Sequence, residues 1–180
     1  MDNTIYVFVK QNENKGILQF PKCGIETTAY IGTHGLTNQK TEGDGKTPIG
    51  IFSLGNILGK EPCIQNMHGL FYRQITADMY WVDDPKSVYY NQLVHIREVN
   101  KDWNSAEQLI DYPIAYAYII EIKTNPENIP GNGSAIFLHC LDKGATAGCV
   151  AVDKEMMKMV IEHIDADTKI QISRSNKKIM

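Results

Sequence analysis

The sequence predicts a mainly β protein with a few helices, of the α+β class. Short β-branched and alternating runs fill the first half and recur near the end, turn-forming residues separate them, and one long segment has helical periodicity. At 180 residues the chain suits one domain. We place that domain at 1–180, with a core at about 5–172 and a mixed insertion at about 56–113.

Each predicted strand is a short run rich in Val, Ile, Tyr or Phe and bounded by Gly, Pro, Asn or charged residues. The first two runs form a hairpin around a polar loop, and the last closes the domain. The predicted strands are 5–9, 16–21, 27–32, 48–54, 116–122, 134–140 and 169–173.

Two segments are predicted to be helical. Ser105 and Gln108 have the spacing of a capping box, which predicts a short helix to about Asp111. Asp153 can cap a later helix whose apolar residues recur at helical spacing, so that one stripe faces the core. The stripe consists of Met156, Met157, Val160, Ile161 and Ile164.

The composition excludes several classes. The net charge is −3 with both signs interspersed, so nothing indicates binding to nucleic acid or to an anionic membrane. No run approaches the roughly 18 apolar residues of a transmembrane helix. The N-terminus lacks the basic region and apolar stretch of a signal peptide. We expect an extracytoplasmic location if an export signal is missing from this version, and a cytoplasmic location otherwise.

Gly43, Gly45, Lys46 and Thr47 look like part of a phosphate-binding loop. A P-loop, however, needs a glycine five positions before its second glycine and a helix after it. Lys40 occupies that position, and the residues after Thr47 read as a strand. The glycines therefore need another explanation.

Residues 133–152 carry the strongest chemical signal. His139 ends a predicted buried strand, and Cys149 follows ten positions later, after a loop rich in Gly and Ala. Side chains alternate along a strand, so Ala135 and His139 share one face while Cys140 points to the other. Cys149, carried on the turn, can approach the imidazole of His139.

This arrangement suits nucleophilic catalysis. An adjacent imidazole can lower the pKa of a thiol and hold the thiolate. The backbone N–H groups of Gly148 and Cys149 are candidate donors to an oxyanion. Spacing alone leaves open that Cys149 is an ordinary core thiol and that His139 is a buried structural histidine.

Metal binding is a second alternative, with His139, Cys140 and Cys149 joined by His34 or His95. Adjacent residues on one strand point apart, which disfavours a shared zinc ion. The four cysteines form no CxxC pair, and free thiols are the simpler interpretation, although two disulfides are possible outside the cell. We expect no metal and no organic cofactor.

Three stretches carry a resemblance to a known family. GDGKTPIGIF at 43–52, SAIFLH at 134–139 and TAGC at 146–149 are similar to motifs of the L,D-transpeptidase catalytic domain family (the YkuD type), which cross-links bacterial peptidoglycan. The similarity spans about 5–172 and is clearest to a divergent branch with a TAGC turn and a stretch like WVDDPKSVYYN, 81–91.

The resemblance implies a β-sandwich with mixed sheets and a helix after the catalytic turn. It implies Cys149, His139 and Gly148 as catalytic residues. It also implies that peptidoglycan stem tetrapeptides are the partners, that D-Ala is released through a thioester on Cys149, and that 3→3 cross-links form. We assign substrate binding to Thr146, Tyr116 and Gly133, and the oligomeric state stays open.

The sequence departs from the commoner family pattern in three ways. Ala147 replaces a histidine of the catalytic turn, Ala151 replaces an arginine two positions after the nucleophile, and the His-to-Cys spacing is short. Without that arginine, a bidentate donor to a substrate carboxylate is missing. The sequence offers Arg73, Arg97 and Lys143 as possible replacements.

Alternatives from other functional classes also stay open. With water as acceptor, the same residues would make an L,D-carboxypeptidase, and a cysteine acyl hydrolase or transferase on a non-wall peptide is a further possibility. A non-enzymatic module that binds wall or peptide is the third. Within 81–91, residues Trp81, Asp83, Asp84, Tyr90 and Asn91 either line a substrate groove or form a structural turn.

Overall fold

A computed structural model describes residues 2–175, so the extreme ends of the predicted domain 1–180 lie outside the described residues. Within them, 37% of the residues are in strands and 11% are helical, which confirms the mainly β class. The strands are β1 Thr4–Val9, β2 Lys15–Phe20, β3 Ile25–Tyr30, β4 Leu36–Thr37, β5 Thr47–Pro48, β6 Gly50–Gly59, β7 Tyr72–Gln74, β8 Met79–Val82, β9 Leu93–His95, β10 Ala106–Gln108, β11 Ile119–Ile122, β12 Phe137–Cys140, β13 Val150–Val152 and β14 Lys169–Arg174. The helices are α1 Lys154–His163 and the 3-10 helices Pro21–Cys23, Leu109–Asp111 and Ala115–Ala117.

The main sheet is mixed and closes on itself. Its strand order is β11-β12-β13-β3-β2-β1-β14-β6-β7, and β6 also pairs with β11. The long strand β6 makes this possible, because its first half pairs with β14 and its second half with β11. The strands from β11 to β6 therefore surround a continuous apolar interior.

The main core lies inside this ring and follows from the alternation in the sequence. Ile5, Val7 and Val9 of β1 are fully buried, whereas the residues between them reach the surface. Helix α1 adds Met157, Val160 and Ile161 to the same core, which confirms the predicted stripe. Asp153 caps this helix, since its side chain accepts a hydrogen bond from the Glu155 N–H.

A second core lies on the opposite face of β11 and β12. The strands β10, β8 and β9 form a separate three-stranded antiparallel sheet. Trp81 from this sheet packs edge-to-face on Phe137 of β12, with ring centroids 4.8 Å apart. Leu109, Tyr116 and Ile119 join the same cluster. This second core shapes the region around the predicted catalytic residues.

Three sequence expectations about local structure are wrong in part. The predicted helix after Ser105 is instead β10 followed by a 3-10 turn, because Ala106–Gln108 pairs with β8. The predicted strand 116–122 is regular from Ile119, and the strand 134–140 is regular from Phe137. The 3-10 helix Ala115–Ala117 replaces the start of the first strand, and the left-handed φ of Ala135 interrupts the start of the second. Among residues 2–175, no helix has the length and apolar character needed to cross a membrane.

Ile120→Ala tests the closure of the ring. Ile120 is fully buried in β11, between β12 and β6. We expect the free energy of unfolding to fall by about 2–5 kcal/mol, measured by urea denaturation. Ile51→Ala, at a residue that is 66% exposed, should change it by no more than about 0.5 kcal/mol. Equal losses for the two variants would contradict this packing.

Candidate active site

The parallel pairing of β12 and β13 brings the two predicted catalytic residues to one side of the sheet. His139 lies opposite Ala151, and Cys149 directly precedes β13. The Cys149 side chain packs with Phe137 in the second core, whereas Cys140 is buried in the main core. Cys140 therefore points away from the site, as the alternation of side chains along the strand predicts.

The Cys149 thiol is held between two backbone groups. Its Sγ donates to the Ala135 carbonyl oxygen at 3.2 Å and accepts from the Phe137 N–H at 3.3 Å. Ala135 has a φ of 52°, a left-handed conformation that is uncommon for a residue other than glycine. The Asn91 side chain stabilises it by accepting from the Ala135 N–H at 3.2 Å. This conformation lies just before the start of β12 at Phe137 and presents the Ala135 carbonyl to the thiol.

The tautomer of His139 follows from its hydrogen bond. Nδ1 lies 2.7 Å from the Cys140 carbonyl oxygen, which can only accept, so Nδ1 carries the hydrogen. In the neutral ring Nε2 is then the acceptor, as a general base requires. The ring also packs edge-to-face on Tyr116, with centroids 5.8 Å apart. Burial lowers the pKa of His139, so the imidazole is neutral at pH 7.

The protonation of the thiol differs from the sequence expectation. Burial first and the charge of Glu107 second raise the pKa of Cys149 to about 12, against opposing effects of the Phe137 N–H and Lys40. The site at neutral pH therefore holds a neutral thiol and a neutral imidazole rather than a preformed thiolate. In this state the thiol must lose its proton as it reacts.

Thr146 and Gly148 shape the turn that carries Cys149. The Thr146 hydroxyl donates to the Cys149 carbonyl oxygen at 2.7 Å and accepts from the Gly148 N–H at 3.1 Å. The Gly148 N–H is thus committed within the turn, and of the two expected oxyanion donors the Cys149 N–H is the better candidate. Gly148 has a φ of 152°, and a Cβ there would lie 3.0 Å from the Lys46 carbonyl oxygen. Only glycine fits without a shift of the backbone.

Thr47 connects the stretch around the early glycines to this turn. Its hydroxyl is fully buried, accepts from the Gly32 N–H at 2.9 Å and donates to the Gly148 carbonyl oxygen at 2.7 Å. The strand end at Gly32 also forms a bridge with Thr146. The segment around Gly43 and Gly45 therefore supports the turn that carries Cys149, through the hydroxyl of Thr47.

Tyr116 faces the site with its hydroxyl committed to a carboxylate. It is 5% exposed, and its hydroxyl donates to Glu107 Oε2. Burial, together with the charges of Asp83 and Glu42, raises the pKa of Glu107 to about 7, although the hydrogen bond from Tyr116 acts in the opposite direction. Sequence reasoning missed Glu107 because the capping-box pattern placed it in a helix. Its proximity to Cys149 depends on the pairing of β10 with β8.

Gly133 is packed against the side chain of Lys40, a residue that the sequence did not indicate as part of the site. A Cβ on Gly133, whose φ is 94°, would lie 2.7 Å from Cγ of Lys40. The charge of Lys40 lowers the pKa of the Cys149 thiol. Arg73, Arg97 and Lys143 are exposed and do not contribute to that pKa. No local spacing signals Lys40, because its approach to Gly133 joins segments far apart in the chain.

The stretch 81–91 is mainly a structural turn. Asp84 accepts from the N–H groups of Lys86 and Asn104, at 3.0 and 2.8 Å. Asn91 accepts from the indole N–H of Trp81 at 3.1 Å and supports Ala135. Tyr90 donates to Glu42. Within residues 2–175, no group of three or more His, Cys, Asp or Glu side chains could hold a metal ion, and all four cysteines are free thiols.

Comparison with known proteins agrees with this geometry. The family model described as the L,D-transpeptidase catalytic domain matches residues 2–172, nearly the whole chain. No curated protein and no solved structure shows significant similarity to the chain.

Thr47→Val tests the support of the catalytic turn. Valine has the shape of threonine but leaves the Gly32 N–H and the Gly148 carbonyl without their partner in a buried site. We expect the free energy of unfolding to fall by about 1–3 kcal/mol. Thr47→Ser keeps the hydroxyl and should cost less, which urea denaturation of both variants measures. A valine variant as stable as the serine variant would show that the hydroxyl contributes nothing.

Glu107→Gln tests the electrostatic effect on the thiol. Glu107 is ionised above about pH 7, and its charge disfavours the thiolate. The neutral glutamine can still accept from Tyr116 but removes that charge, so the pKa of Cys149 should fall. Iodoacetamide labelling of Cys149 at pH 8 should be severalfold faster in Glu107→Gln than in the parent protein. Peptide mass spectrometry across pH measures it and separates Cys149 from the exposed Cys63. Glu98→Gln, at an exposed site, is the control, and an unchanged pH profile for Glu107→Gln would refute the effect.

Proposed function

The chain belongs to the L,D-transpeptidase catalytic domain family, and from that premise we propose that it is a cysteine acyltransferase acting on peptidoglycan stem tetrapeptides. Members of this family are transpeptidases that act on peptidoglycan peptides. One observation carries the proposal: Cys149 and His139 lie on the same side of the paired strands β12 and β13. The Cys140 carbonyl bonds Nδ1 of His139, so Nε2 is left to accept a proton.

The first half of the proposed reaction forms a thioester. As the Cys149 sulfur attacks the carbonyl carbon of the third stem residue, Nε2 of His139 takes the thiol proton. Negative charge develops on the substrate oxygen, where the Cys149 N–H can stabilise it. The tetrahedral intermediate collapses by breaking the bond to the terminal D-Ala. The imidazolium returns the proton to the departing amine, and the neutral imidazole is restored.

The second half transfers the acyl group. An amine from a second stem attacks the thioester carbon, His139 takes the amine proton, and the sulfur leaves as a thiol after receiving that proton. The product is an amide in a 3→3 cross-link. If water attacks instead, the products are a free carboxylate and the thiol, which is the L,D-carboxypeptidase alternative.

The charge around the thiol supports an amine as acceptor. The charges of Asp83 and Glu42 act on Glu107, and the charge of Glu107 acts on the Cys149 thiol. An acceptor stem amine arrives as an ammonium ion, which this negative charge attracts. It must lose a proton before it can attack, and a carboxylate whose pKa burial raises to about 7 is a suitable acceptor for that proton. The proposed substrate also requires that the protein reach the cell wall.

Mass spectrometry of purified tetrapeptide muropeptide, incubated with the protein, tests this function. We expect a cross-linked dimer with loss of D-Ala. Cys149→Ala should abolish it, because no nucleophile remains. Cys140→Ala is the matched control, since its thiol bonds the Tyr118 carbonyl on the opposite face, and it should keep the activity. His139→Gln should lower kcat by about 10²–10⁴-fold.

The products separate the alternatives. Tripeptide without dimer would mean that water is the acceptor and that the protein is a carboxypeptidase. No product with the parent protein would contradict action on this substrate and favour a non-wall peptide or a binding module. Product formation by Cys149→Ala would refute the cysteine mechanism.

A further inference from the structure

Lys40 places a buried ammonium beside the turn that carries the nucleophile. Its side chain is only 9% exposed. The methylene stem crosses Gly133, and a Cβ on Gly148 would lie 3.6 Å from Nζ. The ammonium is thus adjacent to the backbone of the residue that precedes Cys149. Arg73, Arg97 and Lys143, which the sequence offered as replacements for the missing arginine, are exposed instead of buried beside this turn.

The ammonium of Lys40 has more donors than partners. Asp44 accepts one of its three N–H groups, and no second hydrogen-bond partner exists within residues 2–175. Asp44 is itself fixed by the N–H groups of Thr41 and Lys46, at 3.0 and 2.8 Å, so the ammonium is held in one place. Because this ammonium is largely shielded from water and has unused N–H donors, a second anionic oxygen besides that of Asp44 would stabilise it.

The position of the missing family arginine cannot supply this charge. Ala151 is 1% exposed and pairs with His139 inside the sheet, which leaves no room for a guanidinium there. Lys40 lies on the loop before Thr47, and its side chain comes close to Gly133 and Gly148. A lysine offers a compact point charge rather than a bidentate fork, so it can bind one carboxylate oxygen without a fixed orientation.

We propose that Lys40 binds the free carboxylate of the residue that leaves when the scissile bond is broken. This assignment rests on the proposed function, since it takes the leaving residue to be the last of the peptide. That carboxylate is separated from the scissile carbonyl only by the nitrogen and one carbon. A cation next to the nucleophile then selects peptides with one residue beyond the scissile bond and excludes longer ones.

The ratio of Cys149 labelling rates by iodoacetate and iodoacetamide tests the carboxylate site directly. The two reagents have nearly the same shape, but iodoacetate carries a carboxylate bonded directly to the attacked carbon, where iodoacetamide has a neutral amide. Lys40→Met should lower the iodoacetate-to-iodoacetamide ratio at Cys149 by about tenfold, the effect of a charged hydrogen bond. Any change in the pKa of the thiol affects both reagents equally and cancels. Lys40→Arg should keep most of the ratio, and Lys101→Met, at an exposed site, should leave it unchanged.

A measurement on the parent protein needs no variant and covers the case in which Lys40→Met misfolds. D-Alanine should slow iodoacetamide labelling of Cys149, whereas D-alaninamide, which lacks the carboxylate, should not. An equal ratio in the parent protein and a folded Lys40→Met variant would overturn the proposal. Equal effects of D-alanine and D-alaninamide would overturn it as well.

Neither labelling experiment uses peptidoglycan, so its outcome is separable from that of the proposed function. If Lys40→Met lowers the labelling ratio but the parent protein does not turn over muropeptide, the carboxylate site stands and the proposed substrate is wrong. If the parent protein turns over muropeptide but the ratio is unchanged, the proposed function stands and the carboxylate site is wrong. With an active enzyme, Lys40→Met should raise KM for the tetrapeptide and leave KM for its terminal carboxamide unchanged.

Discussion

The geometry of the site depends on the hydrogen bond from the Thr47 hydroxyl to the Gly148 carbonyl oxygen. The two residues are 101 positions apart, and the bond is fully buried. Because the same hydroxyl accepts from the Gly32 N–H, three chain segments meet at one oxygen atom. The turn between Thr146 and Cys149 has no helix or long strand of its own to hold it. Its position is therefore set by this contact and by the bridge to Gly32.

Burial of the reacting groups gives the site its chemical character. A buried thiol and a buried imidazole both favour their neutral forms, because desolvation penalises each charged form. The imidazole is nevertheless prepared to accept a proton, since the Cys140 carbonyl fixes its tautomer. At neutral pH both groups are therefore uncharged, and the thiol reacts slowly with electrophiles unless it loses its proton.

The second core connects this chemistry to the small sheet of β8, β9 and β10. Tyr116 lies between the imidazole and Glu107, and its hydroxyl bonds the carboxylate while its ring contacts His139. Lys40 acts on the same thiol with the opposite sign. The Cys149 thiol is thus subject to opposite electrostatic effects from Glu107 and Lys40.

Local sequence was sufficient for much of this protein. Alternating runs predicted the first hairpin and the closing strand, and the apolar repeat predicted helix α1. Spacing with strand alternation suggested that Cys149 approaches His139 and that Cys140 points away. These features depend on neighbours within a few residues, where periodicity carries the information. The sequence could not reveal Glu107 and Lys40. Glu107 reaches the thiol only because β10 pairs with β8, which overrides the helical capping pattern, and Lys40 does so only because its loop crosses Gly133. Contacts between distant segments have no local signature, so the tertiary structure alone decided the charges around the nucleophile.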